Sequence, residues 1–340
     1  MRTMGSKREV ARAVHFVRRC RYLNVLLAAL CGFAVSTQAT ILVSDAWQDG
    51  TRTDPNSANN YADNNGVTAI DRDSDGELES AWFSNPSANL TVPSPGDLRG
   101  TVGTGFSWWT TYFTPSATPV TLANAGDQLK VTWSFTPTGV AAANTSQGFN
   151  LAIVRTPTGR LTADASPSSQ QFAGYAMFMN MGATLGNSNP FQLREWTDAS
   201  SALLGTSGNW GANGTSNAGL ANGGTSGNHG FDSGTNYTFV MTFTLLSISP
   251  TATNLEVTAT MSGDGLNNSG FESLTYTDAT PNSLKYDTFS VRPHDLTQAA
   301  SQIDTSNFKV EFNQIPEPSS FMLVISACAS FLLRRRGPRR

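Results

Sequence analysis

Two segments of this chain alternate strictly between apolar and polar side chains. In residues 129–135, LKVTWSF, every odd position is apolar, and residues 255–261, LEVTATM, repeat the pattern. Because successive side chains of a β-strand point to opposite faces, a period of two buries one face of each segment and leaves the other in water. Strands of this kind are typical of antiparallel sheets. The two segments therefore predict antiparallel β-structure in the body of the chain.

Further runs of Val, Thr and aromatic residues recur along the body, with turn residues between them. Charged residues make up only 14% of the 340-residue chain, which has 30 Gly and 16 Pro, as expected when strands alternate with turns. About thirteen strands without helices between them predict two packed sheets, an all-β antiparallel β-sandwich. The candidate strands are 40–47, 79–83, 88–92, 107–114, 128–135, 149–155, 172–181, 191–196, 237–246, 255–261, 272–277, 286–291 and 307–312.

No linker rich in Pro or Ser divides this strand-rich region, so we expect one sandwich domain over residues 40–313. Within it, residues 200–235 are rich in Gly, Asn and Ser and contain few large apolar residues, among them Trp210, Leu220 and Phe231. This composition predicts a long surface loop.

The chain opens with a basic segment and an apolar run. Residues 1–22 contain seven Lys or Arg, the apolar run extends over residues 23–35, and Ser-Thr-Gln-Ala follows at 36–39. A positive segment, an apolar stretch of this length and small residues before the cleavage point predict a secretory signal peptide over residues 1–39. We expect a helical apolar run and cleavage by signal peptidase after Ala39. The alternative is an uncleaved membrane anchor.

The C-terminal residues 314–340 have three parts. An apolar stretch at 321–333 lies between a Pro-Glu-Pro motif and an Arg-rich end. Proline is excluded from helix interiors, so the motif separates the body from a helix over 319–333. The apolar stretch is shorter than the roughly 20 residues that span a bilayer comfortably, and the arginines would stay cytoplasmic. We therefore predict a short transmembrane helix at this end.

This tail resembles the PEP-CTERM sorting signal, which exosortase enzymes recognise. The resemblance covers about 25 of 340 residues, and the matching side chains are Pro316, Glu317, Pro318, Arg334, Arg335 and Arg336. It implies recognition by an exosortase in the inner membrane, cutting near the motif, and transfer to the cell surface or the extracellular exopolysaccharide matrix. The alternative is a simple membrane tail with an incidental Pro-Glu-Pro. A sorting signal implies a destination and not what the body does.

The charge of the body differs from that of the whole chain. The net charge is −3 overall, but residues 40–315 contain ten Lys or Arg and 23 Asp or Glu, a net charge of −13. This charge argues against nucleic acid as a partner, because phosphate binding needs clustered basic side chains. The body also has no disulfide, since all three cysteines lie in the terminal segments, at Cys20, Cys31 and Cys328.

An acidic segment before the second candidate strand predicts a Ca²⁺ site, with ligands Asp71, Asp73, Asp75 and Glu77. Acidic residues at alternate positions wrap oxygens around Ca²⁺, and the Gly at 76 permits the sharp turn. The segment resembles the first half of an EF-hand loop. It departs from that pattern at position twelve, where Trp82 replaces the bidentate Glu. The alternative is a solvated acidic loop.

Aromatic side chains predict a carbohydrate platform, because the face of a pyranose stacks on an indole ring. The candidates are Trp108, Trp196 and Trp210, with packing in the core or rim as the alternative. Adjacent Trp108 and Trp109 point to opposite faces of their strand, so at most one is in the core. The strand count and composition look like the concanavalin A-like (jelly-roll) and laminin-G sandwiches, and this resemblance implies binding of extracellular polysaccharide.

The sequence gives little support for catalysis. The body holds only two histidines, His229 and His294, and they have no metal-binding spacing. Hydrolysis of sugars needs two carboxylates about 5–10 Å apart, and Glu195 or the pair Glu77 and Glu79 are the candidates. The Glu-x-Asp-x-x-Glu strand of sandwich glycosidases is absent. We predict a non-catalytic, carbohydrate-binding surface protein. The alternatives are a sandwich-fold glycoside hydrolase and a structural matrix protein without a specific ligand.

Overall fold

The alternating segments become long strands in the computed structural model. The structure describes residues 39–53, 76–86, 89–168, 171–197, 202–205, 207–249 and 252–315. All of them belong to one compact unit, which begins at Ala39. In residues 129–135 every odd side chain is buried and every even one is partly exposed, as the period of two requires.

The described residues form nineteen strands, several of them only two or three residues long. In chain order they are β1 (Thr40–Asp45), β2 (Trp82–Asn85), β3 (Leu90–Ser94), β4 (Asp97–Thr101), β5 (Trp108–Tyr112), β6 (Val120–Thr121), β7 (Gln128–Val140), β8 (Phe149–Arg155), β9 (Ala173–Met179), β10 (Phe191–Trp196), β11 (Trp210–Ala212), β12 (Thr215–Ser216), β13 (Ala221–Gly223), β14 (Tyr237–Ser249), β15 (Ala252–Ser262), β16 (Phe271–Asp278), β17 (Lys285–Tyr286), β18 (Thr288–Pro293) and β19 (Ala300–Asn313).

These strands form two large sheets in which every pairing is antiparallel. The eight-stranded sheet has the order β16-β15-β14-β7-β19-β4-β3, with β1 also paired to β19. The nine-stranded sheet has the order β12-β11-β10-β9-β8-β18-β5-β2, with β13 also paired to β10. A separate two-stranded ribbon joins β17 to β6. The prediction of an all-β antiparallel sandwich is confirmed.

The main core lies between the two large sheets. Trp133 of β7 packs against Phe149 of β8 and Phe289 of β18, with ring centres 6.1 and 5.9 Å apart. Trp82 of β2 meets Phe308 of β19 at 5.2 Å, nearly edge to face. Each such ring removes 150–250 Å² from water, so aromatic burial contributes strongly to holding the sheets together.

The nine-stranded sheet is buried on both faces along its central strands. The other face, away from the main core, is covered by a second apolar cluster built from Ala152, Val154, Phe172, Ala176, Phe178, Trp196, Leu203, Leu204 and Trp210. We call this face the outer face. The strands β8 and β10 therefore lack the alternation of exposure seen in β7, since both sides of each strand are packed.

Residues 200–235 differ from the predicted surface loop. The described part of this segment contains β11, β12 and β13, and the side chains of Trp210 and Phe231 are fully buried. Gly214 and Gly224 have φ angles of +78° and +73°, which glycine adopts without strain, so tight turns return the chain to the sheet. The Gly-rich composition thus reflects turns between short strands, while the few large apolar residues supply the core.

The described residues contain little helix. The 3₁₀ segments at Ser207–Asn209 and Leu266–Asn268 have three residues each. No helix of the described residues is long and apolar enough to cross a bilayer. The predicted signal peptide at 1–39, apart from Ala39, and the sorting tail from 316 onwards lie outside the described residues. Both stay predictions.

Candidate functional site

A row of side chains crosses the outer face of the nine-stranded sheet from strand to strand. In register, Gln192 of β10 pairs with Phe178 of β9, Phe178 pairs with Asn150 of β8, and Asn150 pairs with Arg292 of β18. Directly paired residues of antiparallel strands project to the same face, so these four side chains form one line. Arg194 lies two residues further along β10 and therefore on the same face.

Three members of this row, together with Arg194, line a cavity of about 380 Å³. The cavity lies where the second apolar cluster ends. Loops complete its walls: Ser146, Gln147 and Gly148 before β8, Phe106 before β5, His294 and Gln298 after β18, and Gly205 and Ser207 before β11. Amide and hydroxyl side chains dominate, with an aromatic ring on two sides.

Arg194 is held in the cavity wall without an acidic partner among the described residues. Its side chain is only 5% exposed, and its guanidinium carbon lies 4.3 Å from the ring centre of Phe178. Its Nη2 donates to Oε1 of Gln147 at 2.7 Å. Oε1 of Gln192 accepts from both Nη2 and Nε of the same guanidinium, the latter at 3.1 Å. Nη1 is buried without a hydrogen-bond partner in the described structure. Burial lowers the pKa of Arg194 to about 10.

Arg292 occupies the other side of the cavity in a similar environment. It is 5% exposed, and its guanidinium carbon lies 4.1 Å from the ring centre of Phe106 and 5.1 Å from that of Trp108. Its Nε is buried without a hydrogen-bond partner, and no carboxylate of the described residues lies within 4.0 Å. Burial lowers the pKa of Arg292 to about 10 as well. Both cations are thus desolvated, and aromatic rings are their main neighbours.

The electrostatics of the cavity are opposite to those of the body around it. None of the described residues that line it is an Asp or Glu. The carboxylate of Asp295 is close, but local donors occupy it: Nδ1 of His294 lies 2.7 Å from Oδ2, and Thr297 and Gln298 also donate to this carboxylate. Burial acts to raise the pKa of Asp295, but these hydrogen bonds outweigh it and lower the pKa below its ordinary value. The cavity therefore presents positive charge, amides and aromatic surface.

Of the three predicted platform residues, only Trp108 lies near this cavity. Trp108 is half-buried, its Nε1 donates to the carbonyl oxygen of Leu203 at 2.9 Å, and its ring packs beside Phe106. Trp196 and Trp210 are 5% and 0% exposed and pack edge to face with ring centres 4.9 Å apart. The prediction of a platform is wrong for these two indoles, because loop residues close over the outer face and enclose them.

The predicted calcium loop is only partly described. Asp71, Asp73 and Asp75 lie outside the described residues. Glu77 is buried, and its two carboxylate oxygens accept hydrogen bonds from the backbone N–H groups of Ala46 and Gln48, both at 2.8 Å. Within the described ranges, no three His, Cys, Asp or Glu side chains cluster as metal ligands. The Ca²⁺ site stays a prediction.

Glu195, the candidate catalytic acid, points away from the cavity. It alternates with Arg194 along β10 and is therefore on the face toward the main core. Its Oε1 accepts a hydrogen bond from the backbone N–H of Asn282 at 2.9 Å. Burial, together with the nearby charge of Asp278, raises the pKa of Glu195 to about 7. The residue is a buried acid beneath the sheet and has no access to a ligand in the cavity.

Comparison with known proteins gives only loose structural likeness. No protein-family model and no curated protein matches the chain. The carbohydrate recognition domain of Emp46p in its metal-free form matches with a TM-score of 0.40 and 10% identity, over 68% of this chain and 87% of that one. Lectin UEA-II complexed with galactose matches with a TM-score of 0.37 and 12% identity, over 70% and 94%.

An engineered GH43 glycoside hydrolase also matches, with a TM-score of 0.34 and 13% identity, over 67% of this chain and 38% of that one. Lectins and an enzyme are thus similar to this chain at nearly the same level. With TM-scores of 0.40 or lower, these likenesses carry no argument about a ligand or an activity.

Sequence reasoning missed the two cavity arginines. A signal was present, because residues 191–194 (FQLR) and 288–292 (TFSVR) alternate between apolar and polar side chains, with the arginine at a polar position. Such an arginine must point to the face opposite the core. The sequence does not show that Arg194 and Arg292 share one cavity, because β10 and β18 are separated by two strands in the sheet and by 91 residues in the chain.

Proposed function

We propose that this protein is a non-catalytic carbohydrate-binding protein of the bacterial cell surface or extracellular matrix. It binds sugar in the cavity on the outer face of its nine-stranded sheet. The observation that carries the proposal is the row of Gln192, Phe178, Asn150 and Arg292 across four adjacent strands, which opens into that cavity. A rigid sheet gives these side chains fixed positions, as a specific binding site requires.

The types of side chain in the cavity suit a sugar. Carboxamides such as Gln147 and Gln298 both donate and accept hydrogen bonds, so each can pair with hydroxyl groups in either sense. Phe106 is 42% exposed at the rim and offers an apolar ring to the C–H face of a pyranose. A pocket with aromatic surface and a few convergent polar groups is the usual form of a small-ligand site.

The same lining supports a binding role over glycoside hydrolysis. Hydrolysis by the usual mechanism needs two carboxylic acids facing each other across the bond that is cut. The described residues that line the cavity include neither Asp nor Glu, and Glu195 lies on the opposite face of its strand. The chemistry available in this cavity is hydrogen bonding, stacking and charge pairing.

The destination of the protein belongs to the same proposal. The N-terminal segment directs export and is removed by signal peptidase, and the PEP-CTERM-like tail is processed by an exosortase in the inner membrane. The test is fractionation of cells that express the wild-type chain or a variant with Pro316, Glu317 and Pro318 replaced by Ala. We expect the variant to accumulate in the inner membrane, and equal surface exposure of both chains would contradict the sorting proposal.

The binding proposal is tested with a matched pair of aromatic variants. Calorimetric titration of the full chain against a panel of neutral and acidic oligosaccharides identifies a sugar that binds. Phe106→Ala removes the exposed ring at the cavity, whereas Phe271→Ala removes a ring that is 50% exposed on β16 of the other sheet. We expect at least tenfold weaker binding for the first variant and unchanged binding for the second.

Two results would overturn the binding proposal. Absence of binding across the panel would favour a structural matrix protein without a specific ligand. Equal weakening by both variants would place the sugar elsewhere on the molecule. A bound sugar whose mass changes during incubation would overturn the non-catalytic part and favour an enzyme.

A further inference from the structure

The two cavity arginines are buried charges without a counter-charge in the described part of the chain. Arg194 and Arg292 are each 95% enclosed, and no carboxylate of the described residues forms an ion pair with either. Two other arginines of the described body that are at least partly enclosed do have a carboxylate partner. Arg160 pairs with Asp287 at 3.0 Å, and Arg52 pairs with Asp164 at 2.6 Å.

This contrast bears on function because an unpaired buried charge destabilises a fold. Removing a charge from water is expensive unless an opposite charge or a full set of hydrogen bonds compensates for it. Here Nη1 of Arg194 and Nε of Arg292 have neither in the described structure. A fold with 23 acidic residues in its body had many ways to supply a partner. The missing counter-charge is the feature that a bound anion would provide.

The arrangement also indicates the size of the anion-bearing ligand. Three strand spacings of about 4.8 Å separate β10 from β18, so the two backbones lie roughly 14 Å apart across the sheet. Both guanidinium groups line the same cavity from its two sides. Phe178 and Asn150 lie on the two strands between β10 and β18. At about 380 Å³ the cavity has room for a ligand larger than a single inorganic anion, and a ligand that fills it would also satisfy amides and pack against rings.

We propose that the cavity binds an acidic oligosaccharide, with carboxylates of its uronic acid residues held by Arg194 and Arg292. The inference rests on the proposed function and adds the substrate class to it. The planar guanidinium fork matches a carboxylate in two parallel hydrogen bonds, and the low polarity around a buried cation strengthens such a pair. The amides of Gln147 and Gln298 bind the hydroxyl groups of the same sugar.

The probe pair for the test is trigalacturonate and its methyl ester, which have the same backbone and hydroxyl pattern and differ only at the carboxyl groups, where the ester removes the charge and adds a methyl group. Binding to the full chain is measured by calorimetry. We expect trigalacturonate to bind at least tenfold more tightly than the ester. Arg292→Gln and Arg194→Gln each weaken trigalacturonate binding at least tenfold and leave binding of the ester within threefold of the wild-type value.

Lys309→Gln is the charge-matched control, since it removes one positive charge from β19 of the other sheet. It tests whether the overall charge of an acidic body, and not the cavity, governs the affinity. We expect Lys309→Gln to leave trigalacturonate binding unchanged. A second readout guards against misfolding: the thermal midpoint of Arg292→Gln without ligand should equal or exceed that of the wild type, because the variant removes an unpaired buried charge.

The outcomes separate this inference from the proposed function. If neutral sugars or the ester bind as tightly as trigalacturonate, the inference fails and carbohydrate binding stands. If no sugar binds, both fail. If sodium sulfate binds as tightly as trigalacturonate, the cavity is a simple anion site and the inference fails. A thermal midpoint of Arg292→Gln well below that of the wild type would assign this arginine a structural role and would also overturn it.

Discussion

Replacing Glu195 by Gln tests whether a buried carboxyl beneath the binding sheet makes folding stability depend on pH. Glu195 lies on the core side of β10, is 8% exposed, and has Tyr175, Tyr286 and Asp278 around it. Its enclosure raises the pKa from the ordinary 4.5 to about 7, because burial penalises the charged form and the nearby Asp278 adds to this penalty.

The sign of the effect follows from the raised pKa. Below pH 4.5 the carboxyl is protonated in both folded and unfolded chains, so the folded state carries no charge penalty. As the pH rises from 4.5 through 7, the unfolded chain loses this proton first, and the folded state is destabilised relative to it. The full difference between pKa values of 4.5 and 7 corresponds to about 3 kcal/mol. Because the carboxyl is not wholly shielded from water, we expect roughly 1–2 kcal/mol.

The assay is urea unfolding of the wild-type chain and Glu195→Gln at pH 4.5 and pH 8. Glutamine keeps the oxygen that accepts from Asn282 and cannot ionise, so the variant should be about 1–2 kcal/mol more stable than the wild type at pH 8 and nearly equal at pH 4.5. Glu256→Gln on β15 is the control, since Glu256 lies half-exposed on the wet face of the other sheet. This control reports the effect of removing one negative charge from the acidic body.

The reasoning would be refuted if Glu195→Gln were less stable than the wild type at pH 8. That result would mean that the ionised carboxylate is stabilised in the fold by contacts that outweigh its burial. An equal pH dependence for both variants would likewise refute it, because the effect would then not come from enclosure beneath the sheet.

Three further perturbations test other parts of the structure. Gly100→Ala would place a methyl carbon 2.2 Å from an indole carbon of Trp109, so we expect about 1–3 kcal/mol lower stability in urea unfolding. Gly103→Ala is the control: it has open space around it and should be nearly neutral. Burial acts to raise the pKa of Asp164, but hydrogen bonds from Arg52 outweigh it and lower the pKa. Asp164→Asn should therefore unfold with about 1–3 kcal/mol less free energy at pH 7, and this deficit should vanish as the pH falls well below 3.8. A deficit that stays constant with pH would contradict the ion pair. If Ca²⁺ binds the acidic loop, EDTA lowers the thermal midpoint and added Ca²⁺ restores it in the wild type but not in Asp73→Ala.

Local sequence pattern was sufficient for most of the strands. The predicted segments 149–155 and 191–196 coincide with β8 and β10, and the alternation at 129–135 and 255–261 lies within β7 and β15. The short strands β4, β6, β11, β12 and β13 were not predicted, because two to five residues have no detectable period. Their pairing depends on neighbours that are distant in the chain.

The binding residues were harder to predict than the strands. Trp196 and Trp210 looked like exposed rings because each stands at the edge of a polar, Gly-rich segment, yet the fold encloses both in one apolar cluster. Arg194 and Arg292 looked like ordinary strand residues, yet they are buried together on the walls of one cavity. Whether a side chain at a strand end is covered depends on where the loops pass, and the sequence pattern carries no information about that.

The sequence by itself determined the class of structure, the antiparallel character of the strands, the acidic charge and lack of cysteine in the body, and the expectation of export and sorting at its two ends. These properties follow from periodicity, composition and short motifs, which are local. Only the tertiary structure decided which strands are neighbours, which face of the second sheet is covered, and which polar side chains meet. The cavity arises because antiparallel pairing brings β10, β9, β8 and β18 into one register, so that residues far apart in the chain share a single row of the sheet.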